Sequence, residues 1–255
     1  MAIKKERYNV IDEASQHSSD SDYELYLKTK KLLSCQKKFW RLCNGDELQF
    51  QIVHQTEELW MKLISYTLVN IGEYMKKRKT HRVITLFQRV HRFQRMMIDL
   101  LGMLETMSPK EYQQIRELLG NGSGQTSPGF RSLIRTTRPL WDIYKEAYLV
   151  PKKLTIEKIY NSQYRHNNAY VVAEAMIEFD ALFTRFYKRH FELIERTIGG
   201  SSKSLKGRDV KRLQEREHSK LFPDLWDIRN KMTDEWGGQY GYSREPLIKI
   251  NKKAS

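Results

Sequence analysis

No stretch of this chain alternates apolar and polar residues convincingly with period two. Apolar residues recur instead every three or four positions almost throughout. A half-buried strand needs the first pattern and an amphipathic helix the second, so the chain reads as all-α with six to eight helices. Leu86, Val90, Phe93, Met97, Leu100 and Leu104 form one apolar stripe. Val172, Met176, Phe179, Phe183 and Phe186 form another, which runs on to Gly199-Gly200. Ser108-Pro109-Lys110-Glu111 has the form of a capping box with proline at the first helical position, and its helix stops near Gly120. Asp46 stands where the N-cap of a helix beginning at Glu47 belongs.

Two glycine-serine segments interrupt the pattern, Gly120–Gly129 and Gly199–Gly207. Such segments either connect helices or let backbone N–H groups approach a ligand closely. Neither carries the spacing of a phosphate-binding P-loop. Residues 1–22 are polar and read as an arm, residues 23–240 as one helical domain, and residues 241–255 as a basic tail. A chain of 255 residues is long enough to bury a substantial core.

Composition removes several classes. There is no apolar run long enough for a transmembrane helix and no apolar leader after Met1. Cys35 and Cys43 are too few for a disulfide scaffold or a four-thiolate zinc site, which points to a reducing cytoplasm. Forty-five basic residues against 31 acidic give a net charge of +14. Because the cations are scattered along helix surfaces, a solvated basic face is favoured over a nucleic-acid site.

Two histidines carry chemical interest. His190 lies four residues after Phe186 and seven after Phe183, on the buried face of its helix. A neutral imidazole there suits an axial ligand of haem iron; it equally suits a core histidine bonded to a backbone carbonyl. Phe50, His54 and Glu58 are spaced by four. His54 therefore either faces a cavity beside an aromatic ring or makes an ordinary His–Glu pair with Glu58. Glu215-x-x-His218 is the one Glu-x-x-His match, where a di-iron bundle needs two.

Six segments in order resemble the tryptophan 2,3-dioxygenase family. They are Asp22–Gln36, with its Tyr-x-x-Tyr-Leu opening; Asp46–Lys62, which holds His54-Gln-Thr-Glu-Glu-Leu-Trp60; Leu104-Glu-Thr-Met-Ser-Pro109; Ser123–Arg131; Arg189–Gly199; and Phe222-Pro-Asp-Leu-Trp-Asp-Ile-Arg229. The resemblance implies an all-α, haem-binding helical bundle that works as a homo-oligomer, tetramer or dimer. It implies haem b, with iron held by His190 as the proximal ligand, and O2 as co-substrate. His54 becomes the catalytic distal residue, with Phe50 lining the same pocket. Arg131 would pair with a substrate carboxylate, and Tyr23, Tyr26 and Leu27 of a neighbouring subunit would close the site. The implied activity is insertion of oxygen into tryptophan or a related indole or aromatic amino acid, with cleavage of the indole C2–C3 bond favoured over hydroxylation by a monooxygenase. A non-catalytic basic module binding nucleic acid, and a haem protein without oxygenase activity, are the competing readings. Where the family carries Gly-Thr-Gly-Gly-Ser-Ser-Gly, this chain has Lys203–Asp209, with Ser204 in place of the substrate-contacting threonine. The stretch from Arg131 to His190 is also shorter than in typical members.

Overall fold

The computed structural model describes residues 20–120, 122, 124–162, 165–201, 203 and 220–236. Among these the chain is helical, with no strand. Ten α-helical segments occur, α1 Asp22–Leu27, α2 Thr29–Leu33, α3 Glu47–Lys76, α4 Thr80–Leu104, α5 Pro109–Leu118, α6 Pro128–Thr137, α7 Leu140–Tyr144, α8 Ile156–Tyr160, α9 Asn168–Ile198 and α10 Pro223–Trp236. The ten exceed the six to eight the periodicity predicts: six have ten residues or more, and α1, α2, α7 and α8 have five or six. Such short segments hold too few repeats for a stripe to stand out. The outer boundaries of the arm and the tail lie at or beyond the edges of the described residues.

Three long helices make the frame. α3 and α4 follow each other through a tight connection in which Arg78 takes a left-handed backbone (φ 51°). α9 packs on α4, and α6 packs on α3. The core stripe of α3 is Val53, Met61, Ile64, Leu68, Ile71 and Met75, all buried. Burial of each large side chain in such a stripe contributes about 1.5–3 kcal/mol. All five residues of the α9 stripe are buried as predicted. On α4 the buried face is centred on Phe87, His91, Gln94 and Leu101, so Phe93 and Leu100 lie at its edge.

Several polar side chains inside this frame are bonded to backbone, as burial favours. The His91 ring meets the Ala175 carbonyl at 2.9 Å, and Gln94 Nε2 donates to the Phe179 carbonyl at 2.9 Å, so α4 is tied to α9. Asp180, fully buried, accepts at Oδ2 from the N–H groups of Leu221 (3.0 Å) and Phe222 (3.1 Å) and from Trp226 Nε1 (2.9 Å). It thereby latches α10 onto α9. Arg229 of α10 adds bonds to Glu174 (2.6 Å) and the Tyr160 hydroxyl (3.2 Å).

Half of the capping box forms: the Ser108 hydroxyl caps α5 by accepting from the Glu111 N–H, while the Glu111 carboxylate takes its bond from that hydroxyl and not from the Ser108 N–H; α5 ends just before Gly120, whose φ is +55°. The Asp46 expectation needs correcting. Asp46 occupies the N-cap position of α3, but its side chain makes no capping bond. Asn44 Oδ1 caps instead, accepting from Asp46 N and Glu47 N at 3.0 and 3.1 Å. Both cysteines are free and exposed.

Candidate active site

His54 of α3 and His190 of α9 line the same two cavities. The larger, about 820 Å³ with its open mouth, also takes in Glu57, Glu58, Met61, Phe130, Arg131 and Tyr187. The smaller, about 380 Å³, is walled by Phe50, Leu104, Met107 and Tyr112 among others. Volumes of this size, apolar walls and a few convergent polar groups are the usual form of a ligand or cofactor site.

His190 makes no hydrogen bond among the described residues and stacks on Phe186, ring centroids 6.2 Å apart. Its pKa is pushed down to about 4 by burial and by the neighbouring His54. It is therefore neutral at pH 7, with an uncommitted ring nitrogen facing a cavity, which is the condition a metal-binding imidazole requires. Gly124 lies against it: a Cβ there would sit 3.7–3.8 Å from the His190 ring. The role of a bonded core histidine falls instead to His91. Neither Glu192, which pairs with Arg189, nor Glu195 hydrogen-bonds His190.

His54 is held differently. Its Nδ1 lies 2.7 Å from the Phe50 carbonyl, and a carbonyl only accepts, so Nδ1 carries the hydrogen. Nε2 is then left as an acceptor. Burial lowers the pKa of the ring and keeps it neutral, with the Phe50 carbonyl and Glu58 opposing in part. The Phe50 ring packs on it at 4.1 Å between centroids.

Glu58 does not pair with His54. It reaches across to the start of α6, where its carboxylate accepts from the Ser127 hydroxyl and, at 2.8 Å, from the Gly129 N–H. Ser127 in turn caps α6 by accepting from Phe130 N at 3.0 Å. On its other side α6 presents Phe130 to Phe183, Phe186 and Tyr187 of α9, with centroids 5.4–5.6 Å apart. α6 is thus wedged between α3 and α9. It carries Arg131, whose Nη1 donates to the Thr126 carbonyl at 2.6 Å on the exposed rim of the larger cavity. The contact at Gly129 leaves no room for a side chain: a Cβ would fall 2.6 Å from Glu58 Oε2 and 3.0 Å from Met61 Cβ. Gly129→Ala is expected to cost about 1–3 kcal/mol of stability as α6 is pushed off α3. Denaturant unfolding measures it, and an unchanged midpoint would contradict the wedge.

The structure therefore brings His54, Arg131 and His190 to one cavity, and Phe50, His54 and His190 to the adjoining one. Tyr23, Tyr26 and Leu27 of α1 are exposed at 70%, 87% and 46% and line neither. Ser204 and the Glu215–His218 pair lie outside the described residues. Among the described residues, no cluster of three or more His, Cys, Asp or Glu forms a metal site, and no helix is long and apolar enough to cross a membrane. Sequence reasoning missed Glu57. Its signal was a carboxylate one helical repeat from both Val53 and Met61, inside an apolar stripe.

The family description "Tryptophan 2,3-dioxygenase" matches residues 9–136, half of the chain. The chain belongs to this family. Curated tryptophan 2,3-dioxygenases are similar over most of its length. That of Serratia proteamaculans is 25% identical over 264 aligned residues, covering 84% of this chain and 94% of its own. That of Bacillus cereus strain ZK is 27% identical over 280, covering 89% of this chain and all of its own, and that of Myxococcus xanthus 26% over 260, covering 83% and 89%. These alignments are longer than the 255 residues present, so the tryptophan 2,3-dioxygenase relatives carry stretches that this chain lacks. The matched region includes α3, with Phe50, His54 and Glu58, and the start of α6 with Arg131.

Proposed function

We propose that this chain is a haem-dependent oxygenase of tryptophan or a closely related aromatic amino acid, opening the indole C2–C3 bond. The observation that carries this reading is the pair of neutral histidines, from α3 and α9, lining one apolar-walled site with an arginine at its rim. Family membership speaks against a non-catalytic nucleic-acid-binding module. No feature of the site favours a monooxygenase outcome.

The residues fit the cofactor that the family implies. His190, neutral and without a hydrogen-bond partner among the described residues, would hold the iron of haem b, and the apolar walls suit a macrocycle. When bound, haem supplies the redox chemistry with O2; the protein contributes orientation and exclusion of water. Arg131 would grip the substrate carboxylate with its planar fork, its Nη1 already steadied by Thr126. His54, with Nδ1–H fixed on Phe50, would accept a hydrogen bond at Nε2 from the ring N–H of an indole. Phe50 would pack on the flat face. The exposed apolar residues of α1, Tyr23, Tyr26 and Leu27, are free to cover a neighbouring subunit's site in a homo-oligomer.

The test is the absorption spectrum of haem-loaded protein with and without L-tryptophan, together with assay for an N-formylkynurenine product containing both atoms of O2. A Soret band indifferent to tryptophan, with no product, would overturn the reading. Arg131→Lys keeps the charge and loses the fork, so KM for the amino acid is expected to rise about 10- to 100-fold with kcat less affected. An unchanged KM would remove Arg131 from the carboxylate site.

A further inference from the structure

Glu57 breaks the pattern of its own helix. It follows Val53 and precedes Met61 and Ile64 on the buried face of α3, among mostly apolar neighbours. It is 7% exposed and lines the larger cavity beside Met61 and Leu101. Its Oε1 is buried with no hydrogen-bond partner among the described residues. The neighbouring Glu58 is spent on Ser127 and Gly129 and gives Glu57 nothing but repulsion. Burial, reinforced by Glu58, lifts its pKa to about 8, so it is a neutral carboxylic acid at pH 7. An unpaired buried acid is costly, and in a cavity such a group marks a site that a ligand completes.

The placement narrows the ligand. Arg131 sits on the exposed rim and is not among the charges acting on Glu57. An amino acid with its carboxylate on Arg131 therefore presents its ring, and not its ammonium, to the buried end where Glu57 lies. His54, one turn earlier on α3, is free to take a ring N–H. What remains for Glu57 is a second polar group on the ring. A neutral carboxylic acid donates one hydrogen bond and accepts others, and a ring hydroxyl is complementary in both senses. We propose that Glu57 is the specificity-determining residue of the cleft: its carboxyl hydrogen-bonds a hydroxyl on the aromatic ring, so that the site selects a ring-hydroxylated tryptophan over tryptophan itself. The proposal rests on the aromatic amino-acid reading above and adds the substituent.

Equilibrium binding to the haem-loaded protein tests it, without need of turnover. The probes are L-tryptophan and its 4-, 5-, 6- and 7-hydroxy derivatives, titrated into wild type, Glu57→Leu and Glu57→Gln. One hydroxylated isomer is expected to bind wild type about tenfold more tightly than tryptophan, the worth of one net hydrogen bond. In Glu57→Leu that preference vanishes, while tryptophan binds as well as before or better. Glu57→Gln, closest in shape to the acid, retains part of the preference and serves if the leucine variant fails to fold. A merely structural glutamate would weaken all five ligands together. The proposal is overturned if wild type favours no isomer, or if the preference survives in both variants; the aromatic amino-acid reading stands in either case. If none of the five ligands binds wild type, that reading falls and the proposal with it, a different signature.

Discussion

His190→Ala is expected to abolish the histidine-ligated ferrous spectrum of the haem-loaded protein and to reduce oxygen-dependent turnover to background. The expectation follows from what His190 lacks. Its neighbours on α9 are committed to packing or ion pairs: Phe186 and Phe191 are buried, and Arg189 binds Glu105 at 2.8 Å. Among the described residues the imidazole makes no hydrogen bond through which it would contribute to stability, so its removal is expected to leave the fold intact and an empty space the size of the ring. Imidazole added to the alanine variant is then expected to restore ligation. His91→Ala is the matched control. That ring is bonded to the Ala175 carbonyl, so its loss costs about 1–3 kcal/mol of stability and leaves haem ligation alone. Retention of an unchanged ferrous spectrum in His190→Ala would show the iron to be held elsewhere.

Asp180→Ala is expected to be the most destabilising single substitution in the described part of the chain, by about 3–5 kcal/mol. Its fully buried carboxylate accepts three N–H groups, and two of them belong to the backbone where the chain enters α10. Removing the acceptor leaves three donors without their partner, the Phe222 N–H buried and the other two partly buried. α10 keeps its contacts through Arg229 to Glu174 and Tyr160, so it is expected to loosen before the three long helices do. Denaturant unfolding gives the magnitude, and early proteolysis near residues 220–236 identifies the element. Asp180→Asn keeps one acceptor oxygen and is expected to cost less than half as much. Equal losses in the two variants would mean that the latch is not made by acceptance at this carboxylate.

The helical class, the Ser108 cap and the α9 stripe were legible because each is written in residues close together in sequence. The shared cavity of His54, Arg131 and His190 was not legible from spacing. These residues are brought together by the packing of α3, α6 and α9, and spacing alone left both histidines with two readings each. Resemblance to a family drew attention to them; packing gave the site its shape. The errors are local and physical. Asp46 has the residue type of a cap, but Asn44 reaches the N–H groups first. Glu58 lies one turn from His54, but the start of α6 offers it two donors while the neutral imidazole already spends its N–H on Phe50. Glu57 and Asp180 share the signal that went unread: an acid at an apolar position of a helix, answered in one case by a distant backbone and in the other by nothing in the described protein.

The hold that Glu58 keeps on Ser127 and Gly129 has a consequence for how the chain tolerates change. The rim arginine is placed by the first turn of its own helix, by a carboxylate on another, and by the Thr126 carbonyl just before that turn. Two of these holds use backbone groups, the Gly129 N–H and the Thr126 carbonyl, which most substitutions leave in place. Mutational drift around this turn is therefore limited chiefly by Glu58, Ser127 and the bare backbone at Gly129, and there purifying selection should bite.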